Sequence, residues 1–144
     1  MPSIMRRINV ISRCQALFKS ERLSGEVSSC HQLFFPCISR NPGMSQDDIA
    51  KYLCLNKSTV ARSLASLEEN GFVMREADAE DKRVMRVYPS EKMLSLTPHI
   101  KEALKEWNAY ISEGISEEEM AVFSSVLEKM EARARERVFP GDKK

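Results

Sequence analysis

Ser45-Gln46-Asp47-Asp48-Ile49-Ala50-Lys51-Tyr52-Leu53-Cys54-Leu55-Asn56-Lys57-Ser58-Thr59-Val60-Ala61-Arg62-Ser63-Leu64-Ala65-Ser66-Leu67-Glu68-Glu69-Asn70-Gly71 is the stretch that decides the fold. Ser45 to Asp48 has capping-box spacing, with aspartate in place of glutamate. It opens a short helix with Ile49, Ala50 and Leu53 on one side. Cys54-Leu55-Asn56 is a three-residue connection, and Asn56 can cap a further helix from Lys57 to about Asn70, stopped by Gly71. Two short helices joined by a tight turn predict a helix-turn-helix.

On a helical wheel at 100° per residue, Leu64 and Leu67 fall within about 40° of Val60 and form a buried stripe. Opposite lie Ser58, Arg62, Ala65 and Glu69, flanked by Thr59 and Ser66. Short side chains let a helix approach base edges, and arginine can bond guanine through two hydrogen bonds. An ordinary solvated face usually shows more lysine and glutamate.

After Gly71 the hydrophobic period changes. Phe72-Val73-Met74-Arg75-Glu76 and Val84-Met85-Arg86-Val87-Tyr88 flank the polar segment 77–83. This pattern predicts a β-hairpin with a long tip, a wing. Both faces of its first strand carry an apolar residue, so the inner face stays open. Lys82 and Arg83 stand at the tip, where an arginine can enter a minor groove. Asp78, Glu80 and Asp81 stand beside them, and residues 45–90 carry seven basic and eight acidic side chains. Non-specific affinity for nucleic acid should therefore be modest.

Working outward, the period stays near 3.6. A first helix with Ile4, Ile8, Ile11, Cys14, Leu17 and Phe18 on its stripe should end near Leu23, broken by Ser24-Gly25. Ser28 can cap a second helix carrying Cys30, Leu33, Phe34, Cys37 and Ile38, with a kink or early end at Pro36. Asn41-Pro42-Gly43 is a turn. Beyond the wing, Ser90 can cap a fifth helix through Met93, Leu94, Leu96, Ile100, Leu104, Trp107 and Ile111. Thr97-Pro98 should bend or restart that helix, and Gly114 closes it. Ser116-Glu117-Glu118-Glu119 is a full capping box for a sixth helix, with Met120, Phe123, Val126, Leu127, Met130, Ala134 and Val138 on its stripe.

The fold class is thus mainly α with a small β-hairpin wing. One domain, 1–144, holds a winged helix-turn-helix at 28–89, with dimerisation helices at 1–25 and 90–139. The first and sixth helices each carry an apolar stripe that a chain of 144 residues cannot easily cover while filling a helix-turn-helix core. Pairing across a twofold axis would bury both, and a homodimer reads a pseudo-palindromic operator.

Composition narrows the function. The 22 basic and 21 acidic residues give a net charge of +1, which excludes a polybasic chain and an acidic disordered tail. No apolar run nears the ~18 residues that span a bilayer. The start lacks the apolar centre of a signal peptide, so the expected place is the cytoplasm, with no membrane partner. Cys14, Cys30, Cys37 and Cys54 show no C-x-x-C spacing, which argues against zinc-ribbon and thioredoxin sites. Cys30-His31 has no evident third ligand, so no metal or other cofactor is expected. A cysteine-dependent enzyme would need a base positioned near its thiol and a glycine-rich nucleophile turn, and neither is legible, so the chain reads as a non-enzyme.

Residues 43–50, 56–64 and 67–73 resemble the helix-turn-helix of the multiple-antibiotic-resistance regulator (MarR) family. Asp81-Lys82-Arg83, with Asp78 before it, resembles that family's D-x-R wing. The six-helix order fits over nearly the whole chain. Two features depart from the family pattern: Pro89-Ser90-Glu91-Lys92-Met93 stands where a leucine-threonine pair and a glycine are common, and Pro36 lies within the second helix. The resemblance implies a homodimeric DNA-binding transcription factor, often a repressor, released from DNA by a small aromatic acid or phenol. Candidate DNA contacts are Lys57, Ser58, Thr59, Arg62 and Ser66 on the recognition helix, Ser45 and Gln46 at the start of the preceding helix, and Asp81, Lys82, Arg83 and Arg86 on the wing. Candidate effector contacts are Arg13, His31, Phe34, Trp107 and Tyr110. Cys14 lies on the apolar stripe and is expected in the core or a dimer contact. A redox-sensing regulator of the same fold, and a winged-helix protein–protein module without DNA, remain the alternatives.

Overall fold

The computed structural model describes residues 3–23 and 27–141, and the expected helix break at Ser24-Gly25 lies outside them. In chain order the elements are α1 (Ile4–Arg22), α2 (Ser29–Gln32), α3 (Phe34–Arg40), β1 (Met44–Ser45), α4 (Gln46–Leu53), α5 (Lys57–Glu69), β2 (Val73–Ala77), β3 (Met85–Pro89), α6 (Glu91–Ile111) and α7 (Glu117–Val138). Two compact units divide the chain, Met1–Trp107 and Asn108–Lys144, with the boundary inside α6.

In the first unit the two central helices start where their caps predict. The Ser45 hydroxyl accepts the Asp48 N–H at 3.1 Å, and Asn56 Oδ1 accepts the Thr59 N–H at 2.7 Å. Each cap satisfies one of the donors that a helix start leaves unpaired. The turn between them depends on Cys54, which adopts a left-handed conformation at φ 53° and ends α4. Val60, Leu64 and Leu67 of α5 are fully buried among Phe35, Ile38, Ile49, Phe72 and Val87. The Phe35 and Phe72 rings sit 5.1 Å apart at 60°. Ile100 and Met93 of α6 complete this core.

Four details differ from the pattern in the sequence. The helix expected to yield at Pro36 breaks instead at Leu33, separating α2 from α3. Pro36 is the third residue of α3, where the missing N–H is not required by the helix, so proline is tolerated there. Ser28 holds the N-cap position of α2 without a side-chain cap, its hydroxyl lying 3.3 Å from Cys30 Sγ. Thr97-Pro98 does not restart the fifth helix, since α6 runs unbroken from Glu91 to Ile111. There the Thr97 hydroxyl donates to the Met93 carbonyl at 2.8 Å and also meets Ser39 Oγ at 2.8 Å, tying α6 to α3. Lastly, the wing is not a bare hairpin. Met44 and Ser45 add a third strand in the order β1-β3-β2, all antiparallel, with Met44 opposite Val87 and Val73 opposite Pro89. Two residues are too few to leave a strand pattern in sequence. The inner face of β2 proves to be Val73, buried, and Arg75, half-buried.

Cys14 is exposed in the single chain, so it is not a core residue. Ile4, Ile11 and Leu17 of the same stripe are exposed too, whereas Phe18 packs on Trp107 at 5.4 Å. The second unit holds the end of α6, a turn at Gly114 (φ 81°) and α7. Ser116 and Glu119 form the reciprocal capping box expected of them. No described residue of α7 is buried, and Val122, Phe123, Val126 and Val138 stand open.

Replacing Asn56 with alanine removes the cap of α5 and should lower stability by about 1 kcal/mol, read as a shifted urea midpoint with an unchanged slope.

Candidate nucleic-acid interface

The buried stripe of α5 fixes what its other side shows to solvent. Ser58, Arg62, Ala65 and Glu69 are all exposed, as the wheel predicts. Arg62 has no ion-pair partner among the described residues, so its guanidinium projects free from the middle of the helix. Lys57 meets Asp47 at 3.4 Å, but both side chains are mostly exposed, so the pair is weak and the ammonium can exchange to another anion. The Ser58 hydroxyl donates to the capping Asn56 Oδ1 at 2.9 Å. Thr59 and Ser66 are half-buried at the edges of the face.

At the start of α4 the two candidate contacts are already engaged. Ser45 is buried, and its hydroxyl holds the cap. Gln46 is half-buried, and its Oε1 accepts from Arg75 Nη1 at 3.0 Å.

The wing tip is built on two aspartates. Asp78 accepts the backbone N–H groups of Glu80 and Asp81 at 3.2 and 3.0 Å, and Arg86 Nε donates to it at 2.8 Å. Arg86 also donates to the Gly43 carbonyl at 3.0 Å, which joins the wing to the segment before β1. Arg86 is therefore a brace between the wing loop and the segment before β1. Asp81 accepts the backbone N–H of Arg83 at 3.1 Å and receives its guanidinium at 3.1 and 3.3 Å. The Arg83 side chain is nevertheless 90% exposed, and Lys82 beside it is exposed. The acids thus fold the loop and aim the arginine. Bonds from Arg86, and then from the Asp81 and Glu80 N–H groups, hold the Asp78 carboxyl below the usual carboxylate range. Arg83 does the same for Asp81.

A helix with one free arginine and small polar neighbours, joined to a braced loop with an arginine at its tip, presents two positive probes on one unit. Residues 36–85 match the MarR family, and they span this whole arrangement up to the first residue of β3. Over that stretch the chain carries the helix-turn-helix and wing of the MarR family. Its fold is that of winged-helix transcriptional regulators of known structure. A relative in Bacillus subtilis (strain 168), described as an uncharacterized HTH-type transcriptional regulator YybA, is 25% identical over 131 residues, covering 90% of this chain and 87% of its own. The crystal structure of the transcriptional regulator SlyA superposes with a TM-score of 0.88 at 29% identity, covering 94% of this chain and 96% of that one. A MarR family regulator from Listeria monocytogenes, solved with 26mer DNA, has the same fold at 24% identity, with a TM-score of 0.88 and coverage of 100% and 99%.

The five effector candidates have different surroundings. Arg13 is exposed, His31 is half-buried, Phe34 belongs to the core at 1% exposure, and Trp107 packs on Phe18. Tyr110, in the second unit, is 74% exposed. The first unit has instead a half-open cavity of about 330 Å³ between α1, α2, α3, α4 and α6, lined by Lys19, Gln32, Cys37, Arg40, Tyr52 and Leu104 among others. Gln32 is buried, donates to the Val27 carbonyl at 3.0 Å, and leaves its Oε1 without a partner among the described residues. Lys19 is also buried, and burial lowers its amine from the ordinary lysine value. The same burial pushes the Cys37 thiol up to about 11, so that thiol is unreactive at neutral pH. Lys19 reads in sequence as a solvated residue between apolar ones, and only the packing of α1 shows otherwise.

Asp78 has a lowered folded pKa, so its stabilising contribution is complete above the unfolded aspartate value and is lost as pH falls through the folded one. Asp78→Asn should therefore destabilise the wing at neutral pH, and its difference from the wild type should shrink as pH drops below about 4, measured by urea midpoints across that range.

Proposed function

We propose that this chain is a sequence-specific DNA-binding repressor, acting as a homodimer on a pseudo-palindromic operator and released by a small aromatic acid or phenol. The observation that carries the reading is the pair of exposed arginines, Arg62 on α5 and Arg83 on the wing. Both are exposed, and on this reading one meets base edges in a major groove and the other enters the adjacent minor groove. Lys57, Ser58, Thr59 and Ser66 border the first, Lys82 borders the second, and Asp81 orients it. The DNA complex of the Listeria relative supports the same use of this fold. Dimerisation through the terminal helices, 1–25 and 90–139, is supported by the uncovered Phe123 and Val126 on α7 and by Ile11 and Leu17 on α1. The charge balance of the interface leaves a winged-helix protein–protein module as the rival reading. For release, the Lys19 and Gln32 cavity suits a ligand carrying an anionic group for the cation and a hydroxyl that donates to Gln32 Oε1. No membrane partner enters this reading, and no helix of the described residues is long and apolar enough to cross one.

The test is a titration of a duplex that the wild-type protein selects from a random-sequence pool. Two chains should bind per duplex. Arg62→Ala should cost about 1–3 kcal/mol and relax preference at one base position. Arg83→Ala should weaken binding with less change in base preference. A protein that enriches no duplex, or an Arg62→Ala variant with unchanged preference, overturns the reading in favour of the protein–protein module.

Millimolar salicylate should release the operator complex, and Lys19→Met should blunt that release. Release by organic hydroperoxide alone, abolished by Cys14→Ser, would make the regulator a redox sensor instead. Tenfold weaker binding to DNA requires about 1.4 kcal/mol of preference by the ligand for the form that does not bind DNA.

A further inference from the structure

One arginine that the sequence pattern does not single out holds three elements at once. Arg75 lies on β2, on the face of buried Val73, and its side chain is 19% exposed. Its backbone N–H donates to Glu68 Oε2 at 3.0 Å, and its Nη2 donates to Glu68 Oε1 at 3.2 Å. Its Nη1 donates to Gln46 Oε1 at 3.0 Å. The wing strand, the end of the recognition helix and the first residue of α4 therefore meet on one guanidinium.

Stability is a poor explanation for this arrangement. Glu68 is 40% exposed, so the ion pair is solvent-screened. Arg75 Nε is buried with no partner among the described residues, which costs free energy. A methionine could cover the same ground as the aliphatic stem without that cost. Only arginine, with a planar fork of donors, reaches Glu68 and Gln46 together.

The consequence lies at Gln46. A primary amide has an acceptor end and a donor end, and a phosphate offers only acceptors. Arg75 takes the Oε1 end. The Nε2 group has no partner among the described residues and is not among the buried unsatisfied atoms, so on this half-buried residue it keeps some contact with solvent. Releasing the guanidinium would let the amide turn over and present its oxygen, which a phosphate repels.

We propose that Arg75 is a positioning residue for DNA binding: it holds the Gln46 amide with its donors outward, toward a backbone phosphate, and locks that contact to the recognition helix through Glu68. The proposal rests on the DNA-binding reading above.

The experiment is a double-mutant cycle of Arg75→Met and Gln46→Ala, measured as affinity for the duplex selected by the wild-type protein, with folding checked by circular dichroism. Arg75→Met should weaken binding about threefold to tenfold more when Gln46 is present than in the Gln46→Ala background. Equal losses in both backgrounds would mean that Arg75 is merely structural and would overturn the proposal. Should Arg75→Met fail to fold, Arg75→Lys replaces it in the same cycle, since a lysine cannot make both the Glu68 and the Gln46 contacts in this geometry. A third variant, Gln46→Glu, keeps an acceptor for Arg75 but removes the donors. It should retain or raise the thermal midpoint while affinity falls at least about tenfold, and unchanged affinity is likewise a refutation. If the wild type selects no duplex, the DNA reading and this inference fall together; if it selects one and the cycle is additive, this inference alone falls.

Discussion

Burial of Val60, Leu64 and Leu67 is the constraint on which the rest of the arrangement depends. Three side chains a helical turn apart, packed against Phe35, Ile49 and Phe72, permit α5 only one rotation about its axis. Arg62 faces outward because its neighbours face inward. Turning α5 far enough to hide Arg62 would expose the leucines, at roughly 1.5–3 kcal/mol for each large apolar side chain brought into water. The capped start at Asn56 and the left-handed Cys54 set the other coordinate, where the helix begins relative to α4.

Charge in the wing serves a different purpose from charge on α5. Asp78 and Asp81 have arginine partners, and Asp78 also gathers backbone N–H groups that a loop would otherwise leave to water. These acids are two of the eight in residues 45–90, which carry seven basic side chains. They are internal scaffolding of the loop, and so they do not argue against an anionic partner for Arg83.

Most of the helical framework is legible in the sequence, because the caps at Ser45, Asn56 and Ser116 and the apolar period act locally. The recognition-helix face is legible for the same reason. What stays hidden is set by neighbours distant in the chain. Proline alone suggests a kink at Pro36, yet position within the helix decides whether a missing N–H matters. The strand of Met44 and Ser45 exists only because β3 lies alongside. Arg86 looks like one more wing cation until the Gly43 carbonyl is seen beneath it. Arg75 carries a weak trace, a charge on the face of buried Val73, which requires a partner that the sequence does not name. The cavity around Lys19 and Gln32 is assembled from five helices, and no single stretch records it.

The braced acidic wing has a consequence for search on a genome. A regulator with a strongly basic surface spends much of its time adsorbed to unrelated DNA, and that reservoir competes with its operator at ~10⁶–10⁹ other positions. Here near-equal numbers of acidic and basic residues keep the net charge near zero while Arg62 and Arg83 stand exposed. On the proposed reading, discrimination comes from a low background as much as from a high peak, and a small number of molecules suffices to keep an operator occupied.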